Sequence, residues 1–371
     1  MQRPSLHFTP QKNWMNDPNG LLWHDGEYHL FFQHNPYGNL WGNMSWGHAV
    51  SPDLITWTEL PVAIEGNSEV GIFSGSAVFD AENTAGFGEA IIAIYTSASK
   101  EIQSQHIAYS LDKGRTFTRY EGNPVLDENM SEFRDPKVFK YGNEWRMVVV
   151  KAKEHKASIY SSANLKNWKH LSDFYYKDID EAVWECPDLF PLECDGKTYW
   201  IMLISVNPGG INGMSGTKYF VGDFDGSVFT ASQGPVWLDW GRDNYAGITY
   251  NDEPRGKRIF IGWMNHWLKD NRDMVVETPW NGAMTIPREL SLVEKDGLIQ
   301  LVQTPFLATE AVSKDDPYIS YDAKEQLIRV GEYTAPYKGD PKLRVLRDRG
   351  SVEVFSEDGT ISITMAGKDV L

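Results

Sequence analysis

An all-β fold built as a five-bladed β-propeller is what this sequence predicts, and three observations predict it. Apolar and polar residues alternate in short runs bounded by Gly, Asn, Asp and Pro. No long helical pattern interrupts those runs. The runs also recur as a unit of about 50 to 60 residues holding several strands, the period of propeller blades. Five such units fit between about residue 14 and residue 295.

The units read as follows. Glu27-Tyr28-His29-Leu30-Phe31-Phe32-Gln33 and Ser45-Trp46-Gly47-His48-Ala49-Val50 are strands of the first, with a turn at Ser51-Pro52-Asp53-Leu54 and Trp57 beyond it. Ala90 to Tyr95 and His106 to Ser110 repeat the pattern, followed by a turn and Phe117. Glu144 to Val150 and Ser158 to Ser161 repeat it again, with Leu165 and Trp168 after them. Thr198 to Ile204 and Lys218 to Gly222 form the fourth unit, and Arg258 to Met264 belongs to the fifth. A propeller gathers the first strand of each blade around one axis, so residues at those strand mouths meet however far apart they lie in sequence.

Composition narrows the function. The chain has 371 residues and a formal net charge of −16, which argues against nucleic acid and anionic membranes as partners and suits a neutral substrate. Aromatic residues make up 13%, with 14 Trp; such side chains favour strands and wall the flat faces of sugar rings. Two cysteines, Cys186 and Cys194, form no disulfide framework and no Cys-x-x-Cys motif. No apolar run reaches the ~20 residues of a membrane span. The start, Met1-Gln2-Arg3-Pro4, shows no apolar leader; it fits a cytoplasmic chain and equally a mature secreted one carrying an added Met.

Three strand mouths carry acids beside prolines: Asp17-Pro18, Asp135-Pro136 and Glu185-Cys186-Pro187. Pro18 stiffens the backbone that presents Asp17, with Trp14 and Met15 close by to exclude water. An isolated Asp-Pro-Asn-Gly is ordinarily a solvated turn. Three acidic mouths in one repeat array point instead to a shared pocket. Gathered carboxylates suit acid–base chemistry, a metal site or a structural network. Metal is the weakest reading, because His24, His29, His34 and His48 lack paired-ligand spacing and read as strand residues bonded to their neighbours. Two carboxylates flanking a scissile bond are what glycosidases use. The acid of such a pair holds its proton through burial and nearby like charge. Glu185 sits among Trp184, Cys186 and Pro187, with no Lys or Arg within several residues in sequence. Asp17, beside Asn16 and Asn19, suits a group kept ionised.

Trp14-Met15-Asn16-Asp17-Pro18-Asn19-Gly20, Phe133-Arg134-Asp135-Pro136 and Glu185-Cys186-Pro187-Asp188 resemble the motifs of glycoside hydrolase family 32, which includes invertases, inulinases and levanases. Phe32 to Pro36, Trp46 to Ala49, Phe73 to Ser76, Gly262 to Met264, Pro287 to Leu290 and Asp348 to Phe355 resemble further motifs of that family, in the same order. The resemblance implies a five-bladed propeller followed by a β-sandwich. It implies Asp17 as nucleophile, Glu185 as acid/base, and Asp135 as transition-state stabiliser assisted by Arg134. It further implies a fructose subsite lined by Asn16, Gln33, Trp41, Phe73, Ser74 and Trp263.

The expected activity is therefore retaining hydrolysis that frees terminal fructose from sucrose or fructans, with no cofactor and no metal. The alternatives are a fructosyltransferase using the same residues, a five-bladed glycosidase acting on arabinose polymers, and a non-catalytic fructan-binding propeller. The expected domains are residues 1–295, the catalytic propeller, and 296–371, a shortened sandwich module. Only about 75 residues follow the expected boundary at residue 295, just past Pro287-Arg288-Glu289-Leu290, and the strands from Gln326 to Thr364 are expected to supply about one sheet. A lone sheet would lay its apolar face on the propeller flank, the simpler outcome, or on a second copy, in which case the module forms a homodimer.

Overall fold

The computed structural model describes residues 2–177, 182–211, 213–267, 278–367 and 370. The described residues are all-β, with a single three-residue 3-10 turn at Ala152–Glu154. Their strands form seven sheets, five of them succeeding one another along the chain as antiparallel units. The first contains Asn13–His24, Glu27–Asn35, Ser45–Ser51 and Thr58–Ile64. Gly71–Asp80 opens the second, Phe133–Tyr141 the third, Val183–Cys194 the fourth and Tyr245–Thr249 the fifth.

Each of these opening strands lies against the opening strand of the next sheet, and the fifth lies against the first. The apolar pattern explains the ring. In Ala90–Ala98, Ile91, Ala93 and Tyr95 join Leu22, Phe31 and Trp46 of the first sheet, whereas Ile92 and Ile94 join Phe133, Val138 and Met147 of the third. A strand apolar on both faces reads as a continuous run because it has a neighbour on each side. Similar layers join the third sheet to the fourth and the fourth to the fifth. Met15, Leu30 and Phe32 meet Ile248, Ile259 and Ile261 in a fifth layer that closes the circle. Closure is also hydrogen-bonded: Trp280–Asn281 pairs in parallel with Asn13 and Trp14 on the free edge of the first sheet.

The inner strands share an irregularity. Asp135 and Pro136, Cys186 and Pro187, and Ala246 and Gly247 each form an extra step against the neighbouring strand, and Asp135, Cys186 and Ala246 take φ of 65°, 44° and 56°. In the first sheet the step falls on Asn16 and Asp17, with Pro18 just past it. The prolines at 136 and 187 are thus equivalent, whereas Pro18 is offset by one. Such bulges re-aim side chains at sheet mouths. Farther along that strand Gly20 takes φ of 54°, and a Cβ there would lie 2.5 Å from the Phe31 ring.

The histidines are bonded within the strands. His34 Nδ1 lies 2.8 Å from the Trp14 carbonyl, and His29 Nδ1 lies 3.0 Å from His48 Nε2. Burial lowers both His29, to about 3, and His48.

Two expectations for the C-terminal region are corrected. Leu298–Pro305 pairs with Arg288–Lys295, so the fifth sheet runs to Pro305 and a boundary at 295/296 would cut a hairpin. The strands beyond form two sheets rather than one: Glu310–Ala311, Leu343–Asp348, Ser351–Ser356 and Ser362–Ala366 in one, Ile319–Asp322, Leu327–Val330 and Tyr333–Pro336 in the other. Ile328, Val330 and Ala335 pack against Val345, Val352, Val354 and Ile363. Among the described residues each sheet therefore covers the other's inner face. Short strands at Ile319–Asp322 and Tyr333–Pro336, only four residues each, supply the second sheet.

A buried seam joins this module to the ring. Arg288, fully buried, donates to Glu353 Oε2, Asp239 Oδ2 (3.0 Å), Gln303 Oε1 (2.7 Å) and Thr364 Oγ1 (2.6 Å). His7 joins from the N-terminal segment, with Nδ1 3.0 Å from Asp348 Oδ2 and Nε2 2.8 Å from Glu353 Oε1.

Candidate active site

At the mouth end of the inner strands lies a cavity of about 310 Å³. Asp17, Asp135 and Glu185 line it, and so do Asn16, Gln33, Trp41, Phe73, Ser74 and Arg134. The repeat geometry brings together three acids that lie 50 or more positions apart in sequence. Trp263 does not line the cavity. It stands opposite Tyr245 on the second strand of its sheet and is fully buried. The chain beyond it brings the Trp267 ring to 4.7 Å, and Trp267 faces the cavity instead.

Asp17 is held from two sides. Ser74 Oγ donates to its Oδ2 at 2.6 Å, and Asn16 Nδ2 to its Oδ1 at 2.9 Å. Asn19, buried beneath, donates to Ser74 Oγ at 3.2 Å and accepts from Gln33 Nε2 at 3.0 Å in the amide orientation that satisfies its neighbours. Burial raises the Asp17 pKa, and the Glu185 charge adds to it, against the opposing hydrogen bond from Ser74. A hydrophobic wall of Trp14, Cys186 and Tyr245 adjoins the polar donors, so burial works against the ionised form that those donors favour.

Asp135 sits on its bulge with its backbone N–H given to Thr96 Oγ1 (3.0 Å), while its Oδ2 accepts from the Cys186 N–H (2.9 Å). Burial pushes its pKa up to about 7, with Glu185 and Asp17 adding to the rise and Arg134 opposing it. A non-glycine residue at positive φ next to a ligand-sized cavity is the kind of strain that accompanies functional sites.

Glu185 is not without a cation. Arg134, from the preceding sheet, donates from Nη2 to Glu185 Oε1 at 3.1 Å, and its Nε lies 3.8 Å from Asp135 Oδ2. Its Nη1 meets Glu132 and, at 3.2 Å, Gln103. Sequence neighbours could not reveal this contact, because it crosses between sheets. Tyr245 OH donates to Glu185 Oε2 at 2.5 Å. Sequence reasoning passed over Tyr245, since the fifth mouth, Tyr245-Ala246-Gly247, has neither an acid nor a proline. Its only signal is its position in the repeat, level with Glu185 and Arg134. Gln103, Glu132, Val183 and Asn207 complete the lining. No group of three His, Cys, Asp or Glu suited to a metal occurs among the described residues.

Residues 7–305 match the Glycosyl hydrolases family 32 N-terminal domain. The chain belongs to glycosyl hydrolase family 32. A levanase of Bacillus subtilis is 40% identical over 98% of this chain and 66% of its own length. An extracellular exo-inulinase of Aspergillus ficuum is 44% identical over 86% of this chain and 67% of its own. Invertase 2 of Saccharomyces cerevisiae is 40% identical over 89% of this chain and 66% of its own. The chain thus spans about two thirds of the length of these curated relatives. Among solved structures, exo-inulinase from Aspergillus awamori superposes with a TM-score of 0.90 at 36% identity, covering 98% of this chain and 92% of that one. The β-fructofuranosidase from Schwanniomyces occidentalis, complexed with fructosyl-erythritol, gives 0.88 at 31% identity, covering 98% and 91%.

Proposed function

We propose that this family 32 chain is a retaining β-fructosidase that releases terminal β-D-fructose from sucrose and from β-2,1 or β-2,6 fructans. The observation that carries the reading is the convergence of Asp17, Asp135 and Glu185 from three sheets on one cavity. The names of the relatives, levanase, exo-inulinase and invertase, supply the substrate class. The five sheets are read as the blades of a propeller, supported by their closed ring of inner strands, and the two small sheets as a compact β-sandwich.

In this mechanism Asp17 attacks C2 of the fructosyl unit while Glu185 gives its proton to the departing oxygen. The C2–O bond to the leaving group breaks and a covalent fructosyl ester on Asp17 forms. Water then attacks C2. Glu185 takes its proton, the ester bond breaks, and Asp17 leaves as a carboxylate. Ser74 and Asn16 donate to the Asp17 carboxylate and orient it for attack. Asp135 binds hydroxyls of the fructosyl ring, and its contacts tighten as the ring flattens into an oxocarbenium-like transition state. Asn16, Gln33, Trp41, Phe73 and Ser74 hold the fructose side, polar groups fixing hydroxyls and aromatic faces covering the ring.

The test is product analysis on sucrose, inulin and levan. Free fructose is expected as the first product of each polymer, and NMR is expected to show it first as the β-anomer. Fructose appearing first as the α-anomer excludes retention. Early mixed oligosaccharides indicate internal cleavage, and elongated fructosyl acceptors at high sucrose indicate transfer.

A further inference from the structure

Arg134 divides its guanidinium among carboxylates that do different work. Nη2 holds Glu185 Oε1 at 3.1 Å, and Nε faces Asp135 Oδ2 at 3.8 Å. Nη1 is given to Glu132, the shortest of the contacts, and to the amide oxygen of Gln103. Glu132 stands two residues before Arg134, on the same side of the backbone. Its other oxygen, Oε1, takes Lys153 Nζ at 3.0 Å from the 3-10 turn Ala152–Glu154. The carbonyl of Glu132 accepts the Ala152 N–H at 2.9 Å, so turn and acid are fixed to each other. Glu132 lines the cavity, yet no step of the hydrolysis described above uses it.

We propose that Glu132 is a positioning residue that tunes the acid/base Glu185 through Arg134, with Lys153 as its counterweight. This rests on the fructosidase reading, in which Glu185 must be protonated to start a turnover. Glu132 draws guanidinium charge away from Glu185, so the carboxylate there is less stabilised than a sole partner of Arg134 would be. Lys153 in turn draws on Glu132 from the solvent side. The other groups facing Glu185 are Tyr245 OH on Oε2, the charges of Asp17 and Asp135, and the buried Cys186 thiol. Facing Glu132 are Arg134 and Lys153; burial works to raise its pKa, but these two cations prevail and hold it below the ordinary value. These two cations favour the ionised form of Glu132.

The sign follows. Replacing Glu132 by Gln removes a negative charge near Glu185 and leaves Arg134 freer to hold it. Both effects make Glu185 ionise at lower pH. The basic limb of the kcat/KM profile, where the acid form is lost, moves down by about half to one pH unit. Replacing Lys153 by Met leaves Glu132 less neutralised and moves the same limb up. That movement is smaller, because the Lys153 side chain is 66% exposed and screened by salt.

The experiment measures pH profiles on sucrose for the intact chain, Glu132→Gln and Lys153→Met. In parallel, the Glu185 carboxyl carbon is titrated by NMR without substrate, its resonance assigned by its loss in Glu185→Gln. Opposite movements in the two variants, seen in profile and titration alike, support the proposal. Movements of the same sign, or a Glu132→Gln variant that loses rate with no displacement along the pH axis, overturn it. If the chain releases no fructose, the fructosidase reading fails, and the titration alone still decides whether Glu132 tunes Glu185.

Discussion

Two buried arginines gather carboxylates in this molecule, and their surroundings could hardly be used more differently. Arg288, in the seam between ring and C-terminal module, meets Asp239 and Glu353. Every remaining lone pair there is occupied: Asp239 accepts from Thr364, Ser362, Gly241 and Asn244, and Glu353 from His7 and the Ile286 N–H. Burial works to raise both carboxyl pKa values, yet Arg288 and these donors hold them below the ordinary range. Arg134, at the cavity, also meets several acids, but those acids outnumber it and face open space. Asp17 is accordingly raised by burial and by the charge of Glu185, and Asp135 by burial and by the charges of Glu185 and Asp17. A saturated carboxylate is a structural bolt, whereas one left with open lone pairs and like-charged neighbours is ready to exchange protons and bind hydroxyls.

Breaking the two clusters should give opposite signatures. The largest effect is expected at the cavity: Asp17→Ala and Glu185→Ala each lower kcat by about three to five orders of magnitude, with thermal unfolding little changed. Activity assays alongside calorimetry check this, and a large loss of Tm in either variant would make these acids structural instead. Next comes the seam. Arg288→Met leaves Asp239 an uncompensated buried charge and Glu353 with His7 alone, and should cost about 3–5 kcal/mol of stability. The folded fraction should keep the wild-type pH profile; denaturant titration and kinetics on the same sample measure both.

Asp135→Asn sharpens the contrast, because activity and stability should move apart. We expect kcat to fall about 10²–10³-fold with a much smaller change in KM, as for loss of a group that acts in the transition state. The same variant should gain stability at neutral pH. The folded pKa of Asp135, about 7, lies above its ordinary value, so the stability linked to its proton is complete below about pH 3.8 and lost as pH rises through 7. Asn removes that loss, and Tm at pH 8 should rise by an amount equivalent to about 1 kcal/mol, vanishing near pH 4.

The smallest effect concerns His7. Both its ring nitrogens face carboxylate oxygens, so both must donate and the ring is an imidazolium. Burial lowers its pKa, but Asp348 and Glu353 outweigh burial and raise it. Stability from a raised histidine is complete below about pH 6.5 and lost as pH rises through the folded value. His7→Gln should thus cost about 1 kcal/mol more at pH 5.5 than at pH 8.5, as urea titrations at the two values would show.

Much of this was legible in the sequence, for identifiable reasons. Strand periodicity is local, so runs such as Ala90 to Tyr95 announce themselves, including their two apolar faces. Asp17, Asp135 and Glu185 were legible because each stands within two residues of a proline at a strand mouth, although Pro18 is offset by one from the equivalent Pro136 and Pro187. The partners of Glu185 were not: Arg134 is 51 positions away in sequence and Tyr245 60, and nothing near either marks the contact. Trp263 was misplaced because an aromatic next to a pocket and one lining it look alike in sequence. The second C-terminal sheet was missed because Ile319–Asp322 and Tyr333–Pro336 are only four residues long, too short for alternation to establish itself, so the run at Leu327–Val330 was placed in the same sheet as the later strands. The motifs around Arg288 and Glu353 were visible as a resemblance, but their partnership in the seam was not.

The parallel pairing of Asn13 and Trp14 with Trp280 and Asn281 also orders events in time. Asp17 leaves the ribosome well before Trp280 and Asn281, so the far edge of its strand has no partner until residue 281 has been made. Its wall of Tyr245 and Ala246 is likewise late, and His7 waits for Asp348 and Glu353. A nascent chain therefore carries the Asp17 carboxylate without the full surroundings of its site until the residues that shut the circle have been made.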